Sequence, residues 1–210
     1  MKFKHILNEQ VQPTSKKELI EIIYKTIREQ GNKCDLNFID VSKIKDMSYL
    51  FEFSHFEGDI SNWDVSNVEN MYRMFAEAEF NGDISKWDVS KVKDMSQMFC
   101  ESQFNGNISK WNVSNVEDMQ GMFADSPFNQ DISNWNVSKV RDMGGMFASS
   151  KFNKNISKWN VSNVEDMGGM FTFSKFNQDI SKWNVKKLKD ASVMFDDCPL
   201  EKNPPKWYND

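Results

Sequence analysis

The sequence predicts an α/β repeat fold, a solenoid of short parallel strands and short helical turns with an N-terminal capping helix. Three observations predict it. The seven tryptophans, Trp63, Trp87, Trp111, Trp135, Trp159, Trp183 and Trp207, lie 24 residues apart, and no tryptophan falls outside the series. Phenylalanines run in two series of the same step, Phe51 to Phe195 and Phe56 to Phe176, and methionines in two more, Met47 to Met167 and Met74 to Met194. Charged residues keep the period as well, so neighbouring units answer to one another.

One unit reads F-N-x-D-I-S-K-W-N-V-S-x-V-x-D-M-x-x-M-F-A-x-S-x, and six complete units run from Phe56 to Pro199. A partial unit precedes them, with Leu36, Ile39, Val41, Ile44, Met47, Leu50 and Phe51 in the same slots, and a second partial one holds Leu200 and Trp207. The chain divides into a tail and capping helix over 1–31, repeats over 32–199, and a C-terminal partial repeat or cap over 200–210. Within a unit, Ile60, Trp63, Val65 and Val68 match the L-x-x-L-x-L pattern of a leucine-rich-repeat-like solenoid. Trp63 and Val65 are two apart and face one way along a strand, leaving Asp64 outside.

The next stretch, Asn70 to Phe75, puts apolar residues on one face of a short helix. Asp46, Asn70, Asp94, Asp118, Asp142, Asp166 and Asp190 stand at its start, where a side-chain cap is worth about 1 kcal/mol. Gly144-Gly145 and Gly168-Gly169 cost roughly 1 kcal/mol each in a helix, so some units are predicted to make one tight turn or a 3₁₀ turn there. No unit of this size buries its own tryptophan. Units therefore stack, equal positions about 4.8 Å apart, around one indole column running from end to end.

Charges check the stack independently. Lys45, Glu69, Lys93, Glu117, Arg141, Glu165 and Lys189 alternate in sign, while Lys43, Asn67, Lys91, Asn115, Lys139, Asn163 and Lys187 alternate cation with amide. Stacked like charges repel, so the alternation suits rungs in register along a solvated edge. Both ends read as finished. Ser15 and Glu18 form a capping box ahead of Leu19, Ile22, Ile23 and Ile27 at helical spacing, with Gly31 as the stop. Pro204-Pro205 has no N–H to offer a further strand and blunts the far edge.

Composition excludes several classes of function. With 26 Lys+Arg against 31 Asp+Glu, net charge −5, and no basic cluster, the chain is not expected to bind nucleic acid. Apolar runs of two or three residues exclude insertion into a membrane as a helix. Three cysteines make no disulfide framework, and only His5 and His55 offer imidazole. The N-terminus shows no apolar leader or lipid-bearing cysteine, which predicts a cytoplasmic location.

The phrase Phe-Asn-Gln-Asp-Ile-Ser-Asn-Trp-Asn-Val-Ser over 128–138, continued by Asp-Met-Gly-Gly-Met-Phe over 142–147, resembles the repeat of BspA-type leucine-rich-repeat surface proteins. The same repeat occurs in mycoplasma lipoproteins of unknown function. The resemblance covers residues 32 to 207 and implies a leucine-rich-repeat-like solenoid without enzymatic activity. It also implies a place at the cell surface, in adhesion or host contact, as the alternative to the cytoplasm.

Chemistry-bearing residues read as structural. Asp59, Asp83, Asp131 and Asp179 alternate with Asn107 and Asn155, which suits hydrogen-bonded turns and not a calcium ladder. Cys100 and Cys198 take slots held by alanine or serine elsewhere, Cys34 aligns with Gly58, and no Cys-x-x-Cys exists. No catalytic, cofactor or metal site is expected.

Two sets of residues are candidates for binding. Outward positions of the strand repeat as Lys86/Asp88, Lys110/Asn112, Asn134/Asn136, Lys158/Asn160 and Lys182/Asn184. Their sameness makes them either a structural polar ladder or a surface for something itself repetitive, a glycan or polymer. Variation gathers at the short turn instead, at Tyr72, Arg73, Phe53 and Phe173, the last two in a slot that elsewhere holds Glu77, Glu101 and Asp125. Exposed aromatics there are contact points for a protein, or they pack on the helix or a neighbouring turn. The expected function is a non-catalytic module for protein–protein interaction or adhesion. The alternatives are a structural, self-assembling solenoid without a specific ligand and an intracellular effector-type interaction protein.

Overall fold

Each unit folds as a run of reverse turns, and three of them come from one phrase used three times. Asp131-Ile-Ser-Asn-Trp135, Asn136-Val-Ser-Lys-Val140 and Asp142-Met-Gly-Gly-Met146 all place Asx before an apolar pair spaced i, i+3. The Asx Oδ1 accepts from the N–H two residues on, at 2.9, 3.2 and 2.8 Å. The apolar pair then closes a β-turn, with the N–H groups of Trp135, Val140 and Met146 donating to Ile132, Val137 and Met143. Two more turns, Gly145–Ala148 and Phe147–Ser150, complete the unit. A computed structural model describes residues 10–208 in this way. His5 and the N-terminal stretch read above for a leader lie outside the described residues, as do 209 and 210.

The predicted short parallel strands and short helical turns are absent among the described residues, so this is not an α/β solenoid. Among those residues the one helix is α1, Lys16–Gln30, and β-pairing between neighbouring units is limited to isolated parallel bridges such as Asp46 with Asn70 and Asn70 with Asp94. The Trp-Asn-Val stretch read as a strand is three residues long between two turns, too short for a ladder. The stretch read as a helix is stopped by its own backbone. Tyr49, Arg73, Gln97, Gly121, Gly145, Gly169 and Val193 all sit at φ between +49° and +60°, in the left-handed region. A second set four residues on, Phe53, Glu77, Glu101, Asp125, Ser149, Phe173 and Asp197, does the same. A right-handed helix cannot pass through such residues.

What holds the left-handed positions is bonding between units. Met47, Tyr49, Phe51 and Phe53 donate their N–H groups to the carbonyls of Asn70, Tyr72, Met74 and Ala76 at 2.9–3.0 Å. The same four bonds recur at every junction as far as Asp190, Ser192, Met194 and Asp196. Even-numbered residues between them bond inside their own turn, as Leu50 does to Met47 and Glu52 to Tyr49. Every amide of the turn face therefore has a defined direction.

The apolar residues of the turns point inward and build three aromatic columns. Phe51 to Phe195 stack at centroid separations of 5.5–6.1 Å. Phe56 to Phe176 stack at 6.1–6.5 Å, and the phenylalanine that closes one unit approaches the one that opens the next to 4.0–4.9 Å. The indoles form the third column and lie further out: Trp63 to Trp159 are 4 % exposed, whereas Phe56 and Phe75 are fully buried. The single indole column expected from the sequence is therefore one of three. Each indole N–H reaches back 27 residues to a carbonyl of the preceding unit, Trp63 to Leu36 at 3.0 Å and Trp207 to Ile180 at 3.0 Å.

α1 covers the first unit. Ser15 Oγ accepts from the Glu18 N–H at 3.2 Å, Glu18 reaches back to the Thr14 N–H at 2.8 Å, and Gly31 at φ 88° ends the helix. Leu19 and Ile23 are buried against the core, and Val11 pairs with Ile39 just before the helix begins. Trp135→Ala removes a central indole and its 3.2 Å bond to the Ile108 carbonyl. The expected cost is about 3–5 kcal/mol in a urea titration. A loss under about 1 kcal/mol would show that the column does not hold the core.

Candidate functional site

The candidate residues fall on two faces. On the indole side Lys86, Asp88, Lys110, Asn112, Asn136, Lys158, Asn160 and Lys182 are all exposed, one file per slot. Asp88, Asn112, Asn136 and Asn160 use a side-chain oxygen on the N–H of Ser90, Ser114, Ser138 and Ser162, at 3.0–3.2 Å. That bond holds the turn, so these four are turn makers first. The lysines stand at the tips between them with no such duty. A further ladder, missed in the sequence, joins the units beside them: the N–H groups of Asn105, Asn129, Asn153 and Asn177 each donate to the Oδ1 of the asparagine 24 residues earlier, at 2.8–3.0 Å. Its signal was the asparagine that follows phenylalanine from Phe80 onward.

The alternating edge has a mechanism. Asn67 Nδ2 donates back to the Ser42 carbonyl at 2.9 Å while its Oδ1 accepts from Lys91 Nζ at 2.7 Å. Asn115 with Lys139 and Asn163 with Lys187 repeat the pattern. An amide both gives and takes, a lysine only gives, so a lysine in this file needs an amide and not a second lysine as its neighbour. Glu69 is shared by Lys45 at 3.4 Å and Lys93 at 2.9 Å, and Glu165 holds Lys189.

The turn face carries the aromatics. Phe53 and Phe173 are each 61 % exposed, and both adopt the left-handed φ of 56°. Tyr72 is half-buried with its ring edge-on to Tyr49 at 5.0 Å. Arg73 is half-buried and engaged: Glu52, Gln97 and Glu77 take its guanidinium, the last at 3.1 Å. The structure thus gathers Tyr49, Phe53, Tyr72 and Arg73 at the α1 end, with Arg73 committed to structure. Phe173 stands five units away, in the unit before Val193, which is 47 % exposed.

Between these ends runs a shallow open trough, lined by Gly121, Ala124, Gly144, Gly145, Ala148 and Gly168. Asp94, Asp118, Asp142 and Asp166, read from sequence as helix caps, line up along the same turns. Burial pushes the Asp118 carboxyl above the usual range, against the Gln120 N–H, and Asp142 and Asp94 add to the rise. Burial and Asp166 do the same to Asp142. Elsewhere the sign reverses: at Asp83, Asp88, Asp179 and Asp190 the hydroxyl and N–H of the serine two residues on hold the carboxyl low. Among the described residues no three His, Cys, Asp or Glu side chains converge on a metal-sized site. His55 Nδ1 lies 2.8 Å from Glu79 on the surface.

Two predictions follow from these groups. A carboxyl raised in the folded state stabilises only while protonated, below its unfolded value near about 3.9, and that support is lost as pH rises through the raised folded value. Asp118→Asn keeps the turn bond, as Asn70 does to Tyr72 at 2.9 Å, and removes the charge. Discounted for solvent screening, the melting midpoint at pH 7 should rise by about 1–2 °C, and the gain should vanish below pH ~4. A lower midpoint at pH 7 would refute the carboxylate cost. Burial also pushes the half-buried Cys100 thiol up to about 11, and the buried Cys34 and Cys198 thiols upward. All three should react with a thiol reagent at pH 8 at least about tenfold more slowly than free cysteine.

A family model described as Mycoplasma protein of unknown function, DUF285, matches residues 20–127 and again residues 101–207. The two matches overlap and together take in all of the complete units. No curated protein and no solved structure matches the chain.

Proposed function

We propose that this chain, which belongs to the mycoplasma protein family of unknown function DUF285, is a non-catalytic interaction module that reads a protein partner with its turn face. One observation carries the reading. Phe53 and Phe173 are large, apolar and 61 % exposed, on a backbone conformation that disfavours any side chain. Packing does not account for them: the left-handed backbone is common to every unit, and an exposed aromatic in that slot, where other units carry Glu, Asp or Ser, points to contact. Tyr49 and Val193, each 47 % exposed at the other left-handed position, extend the same face. The polar groups that recur in every unit support a non-catalytic role, because most of them already hold turns or neighbouring units together.

The test separates contact from stability. Phe53→Gly and Phe173→Gly relieve the left-handed backbone, so the double variant should melt at the same temperature or higher. Recovery of partner proteins on the immobilised double variant should fall by about tenfold or more. Equal recovery would sink the turn-face reading. A second variant set, Lys86, Lys110, Lys158 and Lys182 to Ser, leaves the turn bonds intact. Loss of binding in that set alone would shift the contact to the repeating lysine file and a polymeric ligand.

A further inference from the structure

The four hydrogen-bonded columns of the turn face all run one way. Met47 donates to the carbonyl of Asn70; the N–H of that same peptide, on Met71, donates to Asp94, and the relay continues to Asp190. The other three columns repeat it to Ser192, Met194 and Asp196. At the far pole the next donors are the N–H groups of Ala191, Val193, Phe195 and Asp197. Among the described residues no acceptor meets any of the four, although Phe195 is 1 % exposed.

Residues 200–208 fill only half of the place a following unit would take. Trp207 stacks on Trp183 at 6.3 Å, and Tyr208 meets Phe195 edge-on at 4.9 Å. That closes the indole side. None of the described residues closes the turn side.

An ordinary β-strand does not fit this edge, because its own edge offers N–H and C=O groups in alternation. The edge asks for carbonyls alone, on alternate residues, and that is what a turn half of this repeat presents. The lysine edge narrows the choice. Lys187 and Lys189 are the last members of the alternating files, and each pairs only with the unit before it, Asn163 and Glu165. Inside the stack Glu69 is shared between a lysine on either side. A following acid would be shared by Lys189 as Glu69 is by Lys45 and Lys93, and a following asparagine amide would donate to the Lys186 carbonyl as Asn115 does to that of Ser90.

We infer that the far pole of the turn face is a docking edge for a peptide segment folded as a half-unit of the same repeat type, with Asn and Glu at the two alternating slots. Such a segment continues all four columns and both charge files. The inference is independent of Phe53 and of the partner recovered through it.

Two labelled peptides copied from this chain test it by fluorescence anisotropy against the whole 210-residue chain. Peptide 112–127 carries Asn115 and Glu117; in the stack its Asp118, Gln120, Met122 and Ala124 carbonyls already meet four such donors. Peptide 136–151 has the same turns but Lys139 and Arg141 in those slots. The first should bind at least about tenfold more tightly than the second at low salt, and the gap should shrink as salt rises. Lys187→Asn with Lys189→Glu should reverse the preference. Failure of both peptides to bind overturns the inference, as does equal binding that the double variant leaves equal. Native indole emission of the double variant confirms that the stack it is tested on is folded.

Discussion

Twenty-four peptide groups per unit must find partners without a strand ladder or a helix to supply them. The chain meets that demand in two ways, and the rest of the structure depends on both. Inside a unit, an Asx oxygen takes the N–H two residues on and so sets each turn. Between units, alternate amides of the turn face donate to the next unit, peptide to peptide. A buried amide left unmet costs about 1–3 kcal/mol, so the registration of units is enforced at every junction and not only by apolar contact. Chains of bonds that share peptide planes also polarise one another.

The aromatic columns follow from that registration. Because each turn is built identically, the apolar residues that close it point into the stack at the same angle. Phenylalanine rings then lie almost parallel along the column, 1–7° apart from Phe51 to Phe195. Methionine fills the irregular space around them. The indoles stand at the margin because their N–H must meet a carbonyl of the preceding unit, and a fully central ring has none within reach.

Much of this was legible in the residues. The spacing of Trp63 to Trp207 set the unit, Ser15 with Glu18 and Gly31 marked α1, and the alternation of Lys45 with Glu69 put units in register. The misreading was local. Asp142-Met-Gly-Gly-Met146 and a helix N-cap begin with the same bond, from a side-chain oxygen to an amide, so the phrase carries both meanings. What decides is the sign of φ at the fourth residue, and glycine announces it only at Gly121, Gly145 and Gly169. Tyr49, Arg73 and Gln97 take the same conformation with no signal in their identity, held there by bonds to the next unit, and Val193 takes it beside a bond from the unit before, Gly169 to the Ser192 carbonyl. For the candidate surface, the exposure of Phe53 and Phe173 was visible as aromatics in an acidic slot. The engagement of Arg73 by three neighbours was not, because Glu52 and Gln97 lie more than twenty residues from it.

The indole bond that reaches back 27 residues has a consequence for how the molecule is made. A unit's Leu or Ile carbonyl stays open until the tryptophan of its successor arrives, and its turn amides wait for the successor's carbonyls as well. Closure therefore passes along the chain in the order of synthesis, each newly emerged unit latching the one before. α1 and the first partial unit are made first and offer a finished surface on which that growth can start.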